Sequence, residues 1–394
     1  MSFNKKIYID KPYLTELDSE VTQCIAKENG TFEIRLKETI FYPHMVGGQL
    51  RDFGEIDGIE VINTKEDEKT EEVIHITKKP LSGKVHLNID KERRFDLTQQ
   101  HTGQHILSAA FWSLYKGKTI GFHMSDLYTT IDIALEDINE EMLKNVESLA
   151  NKSIYANIPV QCNVYTRDEA IATGLRKPPV DCNTIRTVKI ADIDNIACCG
   201  THLNTTGETG IIKIVKCEHY KGGLRVEFLC GKRALKYFQY LNSTINTLSV
   251  DFSCKNDEIL HNIDKLKTSN EQLSKKITRL NKELSVYKIE TLKKEAKNLD
   301  GVMIKIFEDE DSKQLRNIIT ELITENSLAA IFINKTSKGL NILYAKSENI
   351  ELDLKKSFSD LMKIIDGKGG GNSTICQGSC KNSEKITDII NFIN

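Results

Sequence analysis

The chain has 394 residues, 54 basic and 56 acidic, for a net charge of −2. That length exceeds what one core supports and implies several domains of about 100 to 200 residues each. The charge balance excludes nucleic-acid binding by overall charge, leaving only local basic patches. The lack of any run of about 18 apolar residues excludes a membrane-spanning helix.

The N-terminal stretch "MSFNKKIYID" has no apolar signal core, so the expected location is the cytoplasm. Ten cysteines in that compartment point to buried thiols and metal ligands rather than a disulfide framework. Residues 1–92 carry short β-rich runs ("TFEIRL", "EVIHITKK", "KVHLNID") between Gly-containing turns, the pattern of a small antiparallel β-barrel. A helix is expected from Asp96, where Gln99 three residues on completes a capping box. Residues 93–235 then alternate helices such as "EEMLKNVESLANKSIY" with strands such as "TTIDIAL", "TVKIADI" and "LRVEFLC". This is an α+β domain on an antiparallel sheet.

Residues 236–300 form a long polar, helical linker with a heptad pattern. Ile263, Asn270 and Ile277 fall at a, and Leu266, Leu273 and Leu280 at d. Two arrangements cover that seam: a coiled-coil homodimer pinned in register by Asn270, or a hairpin with Leu235, Phe238, Leu241, Ile245 and Leu248 of the preceding helix. Residues 301–394 read as a C-terminal α/β domain ending in a Gly-rich loop and a short helix. The fold class is therefore α+β multidomain.

His101 and His105 stand four apart in "LTQQHTGQHILSAAF", one turn apart on one helix face, where two imidazoles reach one metal ion. "CCGTH" at 198–202 supplies a second pair of the same spacing, with His202 and either Cys198 or Cys199. Thiolate and imidazole donors favour zinc, one Zn2+ per chain. The residues between the histidines are Thr102, Gly103 and Gln104, so the glutamate a zinc protease needs as general base is missing. Four protein ligands also suit a purely structural zinc, whose tetrahedron is closed to water.

Together these residues resemble the editing domain shared by alanyl-tRNA synthetases and the free-standing alanyl-tRNA editing proteins, the AlaX family. That family carries HxxxH followed much later by CxxxH. "FYPHMVGGQLRDFG" at 41–54 is similar to its Gly-rich motif, with "HMV" where a glutamate and a glycine are usual. "TIGFHMSDLYTTIDI" and "GLRVEFLCGKRAL" are similar to its later strands and closing helix. "DGKGGGNSTICQGSC" resembles a loop of the synthetase's C-terminal domain. The Asp-His-His motifs of phosphoesterases are absent.

The resemblance implies the long form of AlaX. Its activity is hydrolysis of the ester joining serine or glycine to the 3′ end of tRNA(Ala), with zinc on His101, His105, Cys198 and His202. An aminoacylation core is not expected, so the chain reads as a deacylase and not a ligase. Zinc would either orient the substrate or polarise a water. Gln104, His123 and Gln49 are the candidate pocket residues, Gln104 to read the serine hydroxyl. Against them stand a solvent-facing glutamine and a structural histidine. Lys368, Gly369, Gly370, Gly371 and Gln377 are the candidate tRNA contacts, and turn-forming glycines are the plainer reading there. The alternative class is a non-catalytic, zinc-stabilised module that binds tRNA or dimerises.

Overall fold

A computed structural model describes residues 5–178, 184–296 and 301–393. The chain is mixed α and β and divides into two units, residues 1–251 and 252–394. Among the described residues no helix is long and apolar enough to cross a membrane.

The first unit opens with a closed six-stranded barrel: β1 (Glu16–Ala26), β2 (Phe32–Leu36), β3 (Gly54–Ile56), β4 (Ile59–Glu66), β5 (Val73–Thr77) and β6 (Lys84–Ile89). Its order is β1-β2-β5-β4-β3-β6, every pairing antiparallel. Alternation sets the two faces: in β6, Val85, Leu87 and Ile89 are buried while Lys84, His86 and Asn88 are exposed. The inward set packs with Ile34, Leu36, Ile56 and Val61 into one core.

The barrel leads directly into α1 (Lys91–Tyr115). The expected start at Asp96 is wrong by more than a turn. The N-cap is Asp90, whose side chain accepts the N–H of Glu92 and of Arg93. Asp96 lies inside the helix, where its carboxylate holds the Arg233 guanidinium, and the Gln99 amide donates to Glu208 O. Residues 97–111 of α1 are buried on every side. Ile106, Leu107, Ala110 and Phe111 pack on Ile131, Ile133, Val226 and Phe228 of the sheet beside it.

That sheet has the order β12-β13-β8-β7, from β7 (Lys118–Met124), β8 (Thr129–Ala134), β12 (Ile212–Tyr220) and β13 (Gly223–Cys230). A second, three-stranded antiparallel sheet joins β9 (Val160–Thr166), β10 (Thr184–Ile190) and β11 (Asp194–Ala197). In the chain α2 (Glu140–Tyr155) follows β8, and α3 (Arg167–Ala172) lies between β9 and β10. The Asn139 side chain caps α2, acidic residues fill its first turn, and Val146, Ala150 and Ile154 form its buried stripe. α3 starts on a full capping box, Thr166 with Glu169. α4 (Gly231–Asp251) closes the unit.

The second unit contains α5 (Ile259–Ala296), α6 (Ser312–Glu325), α7 (Leu354–Ile364), α8 (Ile386–Ile393) and a five-stranded sheet. The strands are β14 (Val302–Glu308), β15 (Ala329–Thr336), β16 (Gly339–Lys346), β17 (Lys368–Gly371) and β18 (Ile375–Cys380), ordered β14-β15-β16-β18-β17. The unbroken apolar run "AAIFI" reflects a central strand buried on both faces. Ile331 and Ile333 meet Phe358 and Leu361 of α7, and Ala330 and Phe332 meet Leu315 and Ile319 of α6.

Residues 369–371, expected as a loop, are an exposed edge strand paired with β18 in the register Gly369↔Gly378. Glycines leave no side-chain alternation to betray a strand, so only the backbone pairing defines it. Along α5, Leu266, Leu273, Ile277 and Leu280 are exposed, while Ile289 and Leu292 enter the core under α6.

Candidate metal centre

α1 carries His101 and His105 on one face, their ring centroids 5.4 Å apart. The loop after β11 brings Cys198 and His202 to the same point. Cys198 Sγ lies 3.3 Å from His101 Nε2 and 3.3 Å from His202 Nε2, and the His202 ring is 4.7 Å from each of the other two imidazoles. All four donor atoms lie within 4.8 Å of one another, and the three histidines are buried. Zinc bonds of about 2.0–2.3 Å place tetrahedral donors roughly 3.4–3.6 Å apart, close to the two sulfur–nitrogen separations. In donor chemistry and spacing the four residues fit such an ion. Cys199 is exposed instead, so the sulfur in this cluster is that of Cys198.

The loop closes this tightly because of Gly200. A Cβ there would lie 2.0 Å from His101 Cε1, so no side chain is tolerated. Arg186 clamps the loop, its guanidinium donating to the carbonyls of Cys198 and Gly200 at 2.9 Å each.

The electrostatics favour a thiolate at Cys198 and a neutral imidazole at His202, and a protonated one at His105. Burial pushes the Cys198 thiol up, but the imidazoles of His101, His202 and His105 outweigh it and hold the group well below its ordinary value. Burial drives His202 down to about 3, leaving a neutral imidazole. Burial also opposes charge on His105, yet Cys198 and Asp194 raise it to about 9, so a metal arriving there displaces a proton.

Each helix histidine is oriented through its far nitrogen. His101 Nδ1 donates to Gln49 Oε1 at 2.8 Å, which also accepts the Thr201 N–H at 3.1 Å. Thr201 Oγ1 shares a 2.7 Å hydrogen bond with Thr98 Oγ1. His105 Nδ1 donates to Asp194 Oδ2 at 3.3 Å, and Arg176 Nε donates to Asp194 Oδ1 at 2.7 Å. Burial pushes the Asp194 carboxyl up, but His105 and Arg176 prevail and keep it ionised. A carboxylate or amide oxygen in this position fixes the tautomer and ring angle of a metal-binding histidine.

Two family models match the chain. The "Threonyl and Alanyl tRNA synthetase second additional domain" covers residues 185–227, which include Cys198 and His202. The "DHHA1 domain" covers residues 299–394. Over nearly its whole length the chain is similar to alanyl-tRNA editing protein AlaX-L of Pyrococcus horikoshii, with 32% identity covering 98% of this chain and 97% of that one. It belongs to the alanyl-tRNA editing protein family. A second relative, alanyl-tRNA editing protein Aarsd1-A of Xenopus laevis, is 30% identical over 96% of this chain and 94% of its own. Alanine–tRNA ligase of Buchnera aphidicola is 29% identical over 92% of this chain but only 43% of its own length.

In this editing protein the other residues singled out in the sequence take different places. Gln104 is buried, not solvent-facing; its Nε2 donates to Ser108 Oγ at 2.8 Å, which also receives Thr119 Oγ1–H at 2.8 Å. Gln49 lies behind His101 as its hydrogen-bond partner. His123 is exposed, because the two-residue period of β7 turns Phe122 inward onto His101, 5.2 Å between centroids. Phe122 in turn requires Gly48, where φ is +79° and a Cβ would lie 2.6 Å from the ring.

His44, in the departing "HMV" stretch, is exposed and fixed through its N–H to Thr64 O. Lys368 and the three glycines are exposed on β17, and Gln377 Oε1 on β18 accepts from Arg316 at 3.2 Å. The sequence reading missed Thr98, Asp194 and Thr201, whose only sequence signal is nearness to the ligands, and Arg176, which has none.

Gln49→Leu removes the acceptor from His101 with little change in volume. Metal affinity should fall roughly 10- to 100-fold, measured by competition with a chromogenic chelator, whereas Gln49→Glu keeps an acceptor and most of the affinity. An unchanged affinity in Gln49→Leu would show that His101 needs no orienting partner.

Proposed function

We propose that this editing protein is a trans-acting deacylase that hydrolyses serine or glycine from mischarged tRNA(Ala) at a zinc ion held by His101, His105, Cys198 and His202. The observation that carries this reading is the convergence of four buried zinc-type donors in a chain whose full-length relatives are named alanyl-tRNA editing proteins. The chemistry gives such an activity a purpose: an apolar pocket made for alanine rejects serine, one hydroxyl larger, by only about a hundredfold. A second site must remove what leaks through.

Bound zinc would supply Lewis acidity, either to the ester or to an attacking water. The protein's own groups supply the rest. Gln49 and Asp194 hold the two helix imidazoles in place, and Phe122 walls the His101 side and restricts water. Gln104, buried between the two ligand positions, offers an amide to the serine hydroxyl, and a hydroxyl there competes with Ser108 for its N–H. In this reading Lys368, Gly369, Gly370, Gly371 and Gln377 meet the tRNA body, through cation and backbone contacts that position rather than specify.

The test is direct. The purified, metal-loaded chain should release serine or glycine from Ser-tRNA(Ala) or Gly-tRNA(Ala) well above buffer and leave Ala-tRNA(Ala) charged. Chelation should abolish release and added zinc restore it. No release from either mischarged substrate with metal bound overturns the proposal.

A further inference from the structure

A cavity of about 470 Å3 lies beside the N-terminal half of α1, separate from the metal-ligand cluster. Tyr13, from the segment before β1, and Phe95 of α1 line it, both rings about 39% exposed and 6.4 Å apart between centroids. Lys91 and Lys232 also line it, as do Thr98 and Gln99. The two acids in the lining are already engaged, Glu92 by Lys232 and Asp96 by Arg233, which leaves Lys91 as the cation available to an incoming anion.

Gln99 is more than nine-tenths buried and its Nε2 donates to Glu208 O, but its Oε1 has no partner among the described residues. Exposed aromatic faces with cations beside them are what a single-stranded nucleotide requires: a ring to stack on and a charge for its phosphate. Tyr13 is held ready for this, its hydroxyl donating to Glu208 at 2.7 Å and accepting the Asn204 N–H at 2.9 Å.

The cavity is also wired to the candidate centre. Thr98, in its lining, bonds Thr201, which bonds the glutamine that orients His101. Thr98 precedes His101 by three residues, about 4.5 Å along the helix axis. An unpaired strand whose last nucleotide reaches the ligand cluster would therefore have a neighbouring nucleotide beside this cavity.

We infer that the Tyr13–Phe95 cavity binds an unpaired nucleotide near the 3′ end of the tRNA, stacking its base on Phe95 and setting its phosphate against Lys91. The inference rests on the deacylase reading for its substrate, and its test has an arm independent of activity.

Hydrolysis of Ser-tRNA(Ala) is compared with hydrolysis of seryl-adenosine, which has no neighbouring nucleotide. Phe95→Ala should lower kcat/KM for the tRNA roughly tenfold relative to seryl-adenosine, mostly through KM, and Phe95→Trp should restore it. In the second arm, uncharged tRNA(Ala) carries 5-iodocytidine at either of the two unpaired positions before its terminal adenosine. Irradiation with the wild-type chain should give a cross-link that maps to Phe95 or Tyr13. Equal losses on both substrates, or cross-links that map elsewhere, overturn the inference. If the wild-type chain hydrolyses neither substrate, the deacylase reading fails and the cross-link position alone decides for or against the cavity.

Discussion

Cys198→Ala is expected to strip the chain of metal and to lower deacylation by at least about a hundredfold, while Cys199→Ala changes neither. Cys198 supplies the sulfur of the cluster, and its Sγ touches two of the three imidazoles. Without it the site keeps three neutral ligands and loses the one negative charge that balances a divalent ion. A Lewis acid contributes several kcal/mol to ester hydrolysis, and about 3 kcal/mol corresponds to roughly a hundredfold in rate. Cys199 is the matched control, adjacent in sequence but exposed.

The fold should survive the loss. α1 is packed independently by Ile106, Leu107, Ala110 and Phe111 against the β8 and β13 side chains, beyond the ligand cluster. Elemental analysis, deacylation rate and a thermal melt on the same preparation separate the cases. Full metal occupancy in Cys198→Ala would remove it from the ligand set. Loss of metal with undiminished hydrolysis would make the site structural and not catalytic.

What the sequence revealed about this site follows from how each residue is held. His101 with His105 and Cys198 with His202 are local pairs, and a spacing of four survives into three dimensions when it falls on a helix or a tight turn. The same holds for elements with strong periodicity: "EEMLKNVESLANKSIY" is α2 to the residue. The partners of the ligands are different. Asp194 reaches His105 across 89 residues, and Gln49 reaches His101 across 52, so only the folded chain pairs them.

The start of α1 was misplaced for a related reason. Asp96 and Gln99 look like a cap, yet their side chains serve Arg233 and Glu208, contacts that local spacing does not contain. Polarity alone left Gln104 open to a surface reading, but residues 97–111 of α1 are enclosed on all sides and its amide donates to Ser108. The Gly-rich stretch at 41–54 was visible as a motif, but its physical role was not. Gln49 and Asp52 both face α1, and the segment acts as a staple between barrel and helix.

That staple yields the largest stability effect. Arg94→Ala should destabilise the first unit by about 3–5 kcal/mol, the usual cost of removing one partner from a buried ion pair. Arg94 and Asp52 are 2% and 0% exposed. Arg94 Nε donates to Asp52 Oδ1 at 3.0 Å, a second nitrogen donates to Asp52 Oδ2 and Ile40 O, and the third to Pro12 O at 2.9 Å. Asp52 also accepts the Tyr42 N–H at 2.7 Å. Removing the guanidinium leaves a buried carboxylate with that one N–H and frees the carbonyls of Ile40, which is buried, and Pro12. In a unit of this size each kcal/mol moves Tm by about 2–4 °C, so the melt should fall by roughly 6–20 °C.

The double variant Arg94→Met with Asp52→Leu removes both charges and should recover part of the loss, because an apolar pair of similar volume carries no unpaired charge. A shift under about 2 °C in the single variant would show that the pair does not hold the barrel to the helix. The staple also couples stability to chemistry. Arg94 lies two turns before His101 on the same face of α1, and Gln49 lies three residues before Asp52. Loosening one anchor therefore loosens the other, and Arg94→Ala should weaken metal binding even at temperatures where the chain is still folded.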